Sequence, residues 1–222
     1  MRSGCSREPA RPAAPVASPG HAAVKAVPVE LPLPVPERYR DLWAYAQERL
    51  VRQDRSSLRE AAAALQSIVD EEEFDSLPRL FQTATLSNLG VAHVQLSSPD
   101  GERYLEEAYR RLWNREGDDA RMILDALAVA ATNRFERTLL DEDLDLMILR
   151  HEALLRLASL DPELRHERRH TLMSGLQERL RRGGRDERRL LELLDEALAD
   201  RTPTREMRAR YASMKAELLR RS

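Results

Sequence analysis

From Glu37 to the C-terminus the chain is a succession of amphipathic helical patterns with no strand signal between them. Tyr39, Leu42, Trp43, Ala46 and Leu50 fall at i, i+3, i+4, i+7 and i+11, one stripe of a 3.6-residue period. Leu58, Ala61, Ala62, Leu65 and Ile68 make a second stripe. It opens on Ser57-Leu58-Arg59-Glu60, a capping-box pattern in which the Ser and Glu side chains each answer the other's free backbone amide. Stripes of this kind must be buried against one another, because the chain offers no sheet to receive them. Composition agrees: aromatic residues are 5%, charged residues 33%, and Leu and Ala dominate the apolar set, which favours helix. The expected class is all-α, with about nine antiparallel helices.

Punctuation divides the pattern. Ser76 before Leu77-Pro78 and Ser98 before Pro99 mark helix starts, since proline is tolerated in the first turn where its missing N–H is not needed. Further starts are expected near Asp118, Asp141, Pro162, Asp186 and Pro203. The stretch from Leu80 to Pro99 carries Gln82, Thr83, Thr85, Ser87, Asn88, His93 and Gln95, so it reads as a buried helix and not as a membrane span. Met122 to Ala131 is apolar apart from Asp125, the mark of a central helix covered on most sides. Asp141, Glu142, Asp143 and Asp145 crowd a first turn, where the helix dipole favours negative charge. Gly183-Gly184 is a turn; with no strand before it, it is not a phosphate cradle.

Alternate helix starts fall near residues 37, 78, 118, 162 and 203, spacings of 41, 40, 44 and 41. Such a period suits the stacked helix pairs of an α-solenoid, with a compact helical bundle as the alternative architecture. Leu86, Leu89 and Gly90 followed by Ala108 and Leu112, and later Gly175 followed by Leu190, Leu194, Ala197 and Pro203, give large and small residues in an order that resembles the tetratricopeptide repeat family. The interval between the helices is longer here than in that family's repeat of about 34 residues. The resemblance implies a right-handed stack whose first helices line a groove for an extended or helical partner segment. Carried over by position, it places Ser87, Asn88, Val91 and Gln95 on the groove, with Asn88 able to pair with both the N–H and C=O of a bound backbone. Burial inside a crowded helix layer is the alternative for these residues.

Residues 1–36 contain eight prolines between Pro9 and Pro36, interleaved with Ala, Val and Ser, and read as a disordered Pro/Ala-rich tether to a helical domain at 37–222. Ser3-Gly4-Cys5-Ser6 ahead of such a linker resembles the mature start of a bacterial lipoprotein, which implies a lipid on Cys5 and a domain standing off the membrane. Only Met1 and Arg2 precede the motif here, in place of that family's apolar stretch, which leaves an upstream start or a chance match. Without the lipid the expected compartment is the cytoplasm; with it, the bacterial cell envelope. Cys5 is the single cysteine, so an intramolecular disulfide and a Cys-based zinc site are both excluded.

One catalytic motif occurs. His166-Glu167-Arg168-Arg169-His170 matches H-E-x-x-H, in which two histidines four apart on a helix hold zinc and the Glu acts as base. In zinc proteases the two residues between Glu and the second His are normally uncharged, whereas both are arginine here, and two ligands do not close a site. The pattern also turns His166 and His170 away from the Leu172 and Leu176 stripe, toward solvent. His151 is different: it falls with Leu144, Met147, Ile148, Leu154 and Ala158 on an apolar face, as a hydrogen-bonded core histidine would.

Charge is uneven. The formal net charge is −2, but residues 37–161 carry 16 basic against 25 acidic residues, a balance of −9, and residues 162–222 carry 16 against 11, a balance of +5. The basic end has Tyr211 alone among its arginines, without the aromatic interleaving of a single-strand binder, so a nucleic-acid partner is not expected. The leading expectation is a non-enzymatic adaptor or assembly scaffold that binds another protein in a helical groove, with no cofactor, no metal and no small-molecule substrate. A zinc-dependent hydrolase built on His166, His170 and Glu167 is the alternative.

Overall fold

The computed structural model describes residues 34–157 and 160–221; the assignments on residues 1–33, lipidation of Cys5 among them, lie outside the described residues. Among the described residues there are nine α-helices and no strand. They are α1 (Arg40–Arg52), α2 (Arg55–Val69), α3 (Arg79–Gln95), α4 (Asp100–Arg111), α5 (Asp118–Thr138), α6 (Asp141–Leu155), α7 (Pro162–Arg181), α8 (Glu187–Ala199) and α9 (Arg205–Arg221), with 3-10 turns at Glu37–Tyr39 and Phe74–Ser76. The chain is therefore all-α.

The ends follow local chemistry. Helix α2 starts one turn earlier than the Ser57 pattern predicts, because Asp54 takes the capping position: its carboxylate accepts from the Ser57 amide at 2.9 Å and from the Ser57 hydroxyl at 2.6 Å. Asp161 caps α7 by accepting from the Leu164 amide at 2.9 Å, with Pro162 in the first turn. At the other end of α7 the chain turns at Gly183, whose φ of +95° suits a residue without a Cβ, and the Gly184 amide donates to the Arg179 carbonyl.

Packing is serial. Each helix lies against its neighbours in sequence, and α3 also touches α5. The odd-numbered helices begin at Arg40, Arg79, Asp118, Pro162 and Arg205, spacings of 39, 39, 44 and 43. Helices α3 and α4 pack closely, because two glycines allow near backbone contact: a Cβ at Gly101 would stand 2.9 Å from the Val94 amide nitrogen and 3.0 Å from the Gly90 carbonyl oxygen. Every residue from Phe81 to Ala92 is buried, and the rings of Tyr39 and Trp43 pack on Phe81 at 5.9 and 5.2 Å between centroids.

The buried apolar residues form two clusters that meet within α5. The first runs from Tyr39 through α4 to Ala130 and takes in Leu154 and Leu160 from beyond α5. The second begins at Ala131 and continues through α6, α7 and α8 to Tyr211 on α9. Leu155, at the end of α6, touches both. Among the described residues no helix is long and apolar enough to cross a membrane.

Candidate functional site

The residues expected on a groove of α3 are placed inside the helix layer. Ser87, Asn88 and Val91 are 1%, 5% and 3% exposed, and Gln95 is half-buried in the last turn. The reason is local: α2, α4 and α5 pack on α3, while Tyr39 of the first 3-10 turn and Trp43 of α1 lay their rings on Phe81 in its first turn. The Ser87 Oγ and Asn88 Nδ2 are buried and have no hydrogen-bond partner among the described residues. Their neighbours are satisfied within the helix, since the Thr83 and Thr85 hydroxyls donate to the carbonyls of Arg79 and Phe81.

The residues of the H-E-x-x-H pattern are also placed differently from expectation. His166 and His170 do not face open solvent; both are half-buried against α9, around the ring of Tyr211. The Tyr211 hydroxyl lies 3.2 Å from His170 Nδ1. Both ring nitrogens of His166 are buried with no hydrogen-bond partner among the described residues, and burial lowers the affinity of both histidines for a proton. Glu167 is 53% exposed and is held at 3.0 Å by Arg168 Nη1. Among the described residues no group of three or more His, Cys, Asp or Glu is assembled as metal ligands.

The arginines between those histidines are the buried members of the pattern, a feature missed by the sequence reading. Arg168 is 3% exposed and grips Asp125 of α5 with two bonds, Nε to Oδ1 at 2.6 Å and Nη2 to Oδ2 at 3.2 Å. The fork matches the carboxylate geometrically, which is why the pair can be buried. The lone Asp125 in the apolar run of α5 was the signal available in the sequence. His151 belongs to this same layer: it is fully buried, its Nε2 lies 3.0 Å from the Thr132 hydroxyl, and its Nδ1 has no hydrogen-bond partner among the described residues. Burial, aided by the Arg168 charge, pushes its pKa down to about 3, so the ring is neutral at neutral pH.

Arg169, about 100° further round α7, lines a cleft of about 420 Å³ between α6, α7 and α8. The cleft is lined by Arg156, Arg165, Arg169 and Arg189, by Glu152, Glu192 and Glu196, and by Leu155 and Leu193. Arg189 holds Glu152 with two bonds at 2.7 and 3.0 Å and reaches Glu192 at 3.3 Å. Arg169 Nη1 donates to Asp200 at 3.1 Å; the Thr202 amide is the main cause holding the Asp200 carboxyl down at about 2, with the Thr202 hydroxyl and Arg169 assisting. Arg165 donates to two neutral carbonyls at the end of α6, Leu155 at 2.9 Å and Leu157 at 2.7 Å. Chemically this is an open, charged recess walled by three consecutive helices, suited to recognition of polar groups. Compared with protein-family models, with curated proteins and with solved structures, the chain has no match in any of the three.

Proposed function

We propose that the protein is a non-enzymatic adaptor, a repeat-like stack of helices that holds a segment of another protein against its surface. The observation that supports this reading is the serial packing: each helix contacts its chain neighbours, and a cleft between the successive helices α6, α7 and α8 stays open to a partner. In this reading the recess between α6, α7 and α8 takes the place of the α3 groove, because α3 is enclosed by its neighbours. The partner is a protein segment; the reading uses no cofactor, no metal and no small-molecule substrate.

The test is capture of partners from the source organism's lysate with the full-length chain as bait, envelope and soluble fractions kept apart. The expected result is a specific protein, enriched in one fraction, that binds the purified chain directly with a defined stoichiometry. Capture of nothing above an unrelated helical bait, together with hydrolase activity lost on His170→Ala, would overturn the adaptor reading.

A further inference from the structure

We infer that the recess between α6, α7 and α8 is a docking site for an acidic segment of the partner, whose carboxylate is received by Arg156 and Arg165. The inference rests on the adaptor reading and names the chemistry of the segment it would hold. It begins from an imbalance in the lining. The three glutamates are already answered: Glu152 by Arg189 at 2.7 Å, Glu192 by Arg188 at 3.1 Å and Arg189 at 3.3 Å, and Glu196 by Arg169 at 3.6 Å and Arg189 at 3.9 Å. Two of the four arginines are not. Arg165 is bonded to uncharged carbonyls, and Arg156 is exposed and, among the described residues, has no ion pair.

Arg169 adds a second observation. Its side chain is 8% exposed and lines the same recess; its Nε is buried and, among the described residues, makes no hydrogen bond, the Glu196 carboxylate standing just beyond that reach at 3.6 Å. A buried guanidinium N–H held only at ion-pair distance is costly, and an incoming acceptor that draws Arg169 and Glu196 into new pairings would relieve it. The lining thus sets four arginines against three glutamates that are already paired, a balance that suits one incoming carboxylate, and charge-assisted bonds to guanidinium are the strong class.

A side-chain carboxylate on a peptide fits better than a free phosphate. The recess of about 420 Å³ has room for a side chain together with its backbone, and Leu155 and Leu193 give an apolar floor for aspartate or glutamate methylenes. Glu192 and Glu196, 45% and 52% exposed, repel a dianion more strongly than a single carboxylate.

The test uses the full-length chain labelled with 15N and follows the arginine Nε–H resonances by NMR. The probe is a blocked hexaglutamate peptide; acetate and inorganic phosphate are run in parallel. The expected result is a saturable shift of the Arg165 and Arg169 signals with the peptide, weakened about tenfold in Arg156→Ala, the loss of roughly one charge-assisted contact. Arg156 is exposed and, among the described residues, has no ion pair, so the variant is expected to keep its thermal midpoint, which is measured alongside. No shift with the peptide, an equal response in Arg156→Ala, or phosphate acting at lower concentration than the peptide would each overturn the proposal. Failure here is separable from failure of the adaptor reading: a lysate partner held equally by wild type and Arg156→Ala leaves the adaptor standing and removes this site.

Discussion

His151 and Arg168 sit where the two apolar clusters meet, and their chemistry fixes how the protein answers acid. His151 is neutral when folded, with a pKa near 3, while the unfolded chain takes up its proton at the ordinary value near 6.5. The unfolded state therefore binds more protons between those limits. The His151 contribution to stability is complete above about pH 6.5 and is lost as pH falls toward 3, with a slope of at most about 1.4 kcal/mol per pH unit. Urea unfolding of wild type and His151→Leu across pH 4 to 7 should show this component in the wild type and its absence in the variant; parallel curves would contradict the assignment. The Asp125–Arg168 pair makes a second prediction. Arg168→Ala strands a carboxylate that is only 13% exposed and should cost about 3–5 kcal/mol, whereas Arg168→Met combined with Asp125→Leu should recover most of it. Equal losses in the two variants would show that the pair contributes through packing and not through charge. At this scale the sequence announced His151 as a core histidine through its Leu and Ile neighbours. It did not announce Arg168 and Arg169, because arginine is rarely fully buried and their partners lie 43 and 31 residues away along the chain.

Single helices were legible wherever a periodic stripe met a capping residue. Asp118, Asp141 and Pro162 are starts in both sequence and structure, and Met122 to Ala131 is the central helix its composition implies. The Asp54 cap was less visible, since Ser57 and Glu60 offered a rival pattern three residues on and only the folded geometry shows the carboxylate taking both Ser57 protons. Helix-to-helix distance is harder still, because it depends on which small residues face each other. Gly90 and Gly101 do so here, which leads to a prediction on the α3–α4 pair. Gly101→Ala would set a Cβ 2.9 Å from the Val94 amide nitrogen, a backbone atom that cannot swing aside. The expected loss is about 1–3 kcal/mol from overpacking, against a gain of about 1 kcal/mol or less in helix propensity. In denaturant the midpoint should fall with the slope unchanged. A variant as stable as wild type would show that the two helices separate at little cost. Removing the α7 cap is milder: Asp161→Ala should cost about 1 kcal/mol by thermal unfolding, and no loss would mean that water serves the Leu164 amide equally well.

For the whole molecule, serial packing carries the functional argument. Periodicity along the chain showed that helices exist and roughly where they start, but the faces left open after packing depend on neighbours that only the fold supplies. Asn88 illustrates the limit: a polar residue on an apolar helix suits a groove or a layer interior equally well in sequence, and α2, α4 and α5 decide for the interior. The His166 and His170 pair shows the same effect from the other side, since its expected exposure took no account of α9 and Tyr211. The adaptor reading is tested most directly by placing a photo-crosslinking residue at position 156, beside the recess, and for comparison at position 59, on the exposed face of α2. Irradiated in lysate, the chain should form a discrete adduct with one protein from position 156 and none from position 59. An adduct from position 59 alone, or the same adducts from both, would contradict a partner held between α6, α7 and α8.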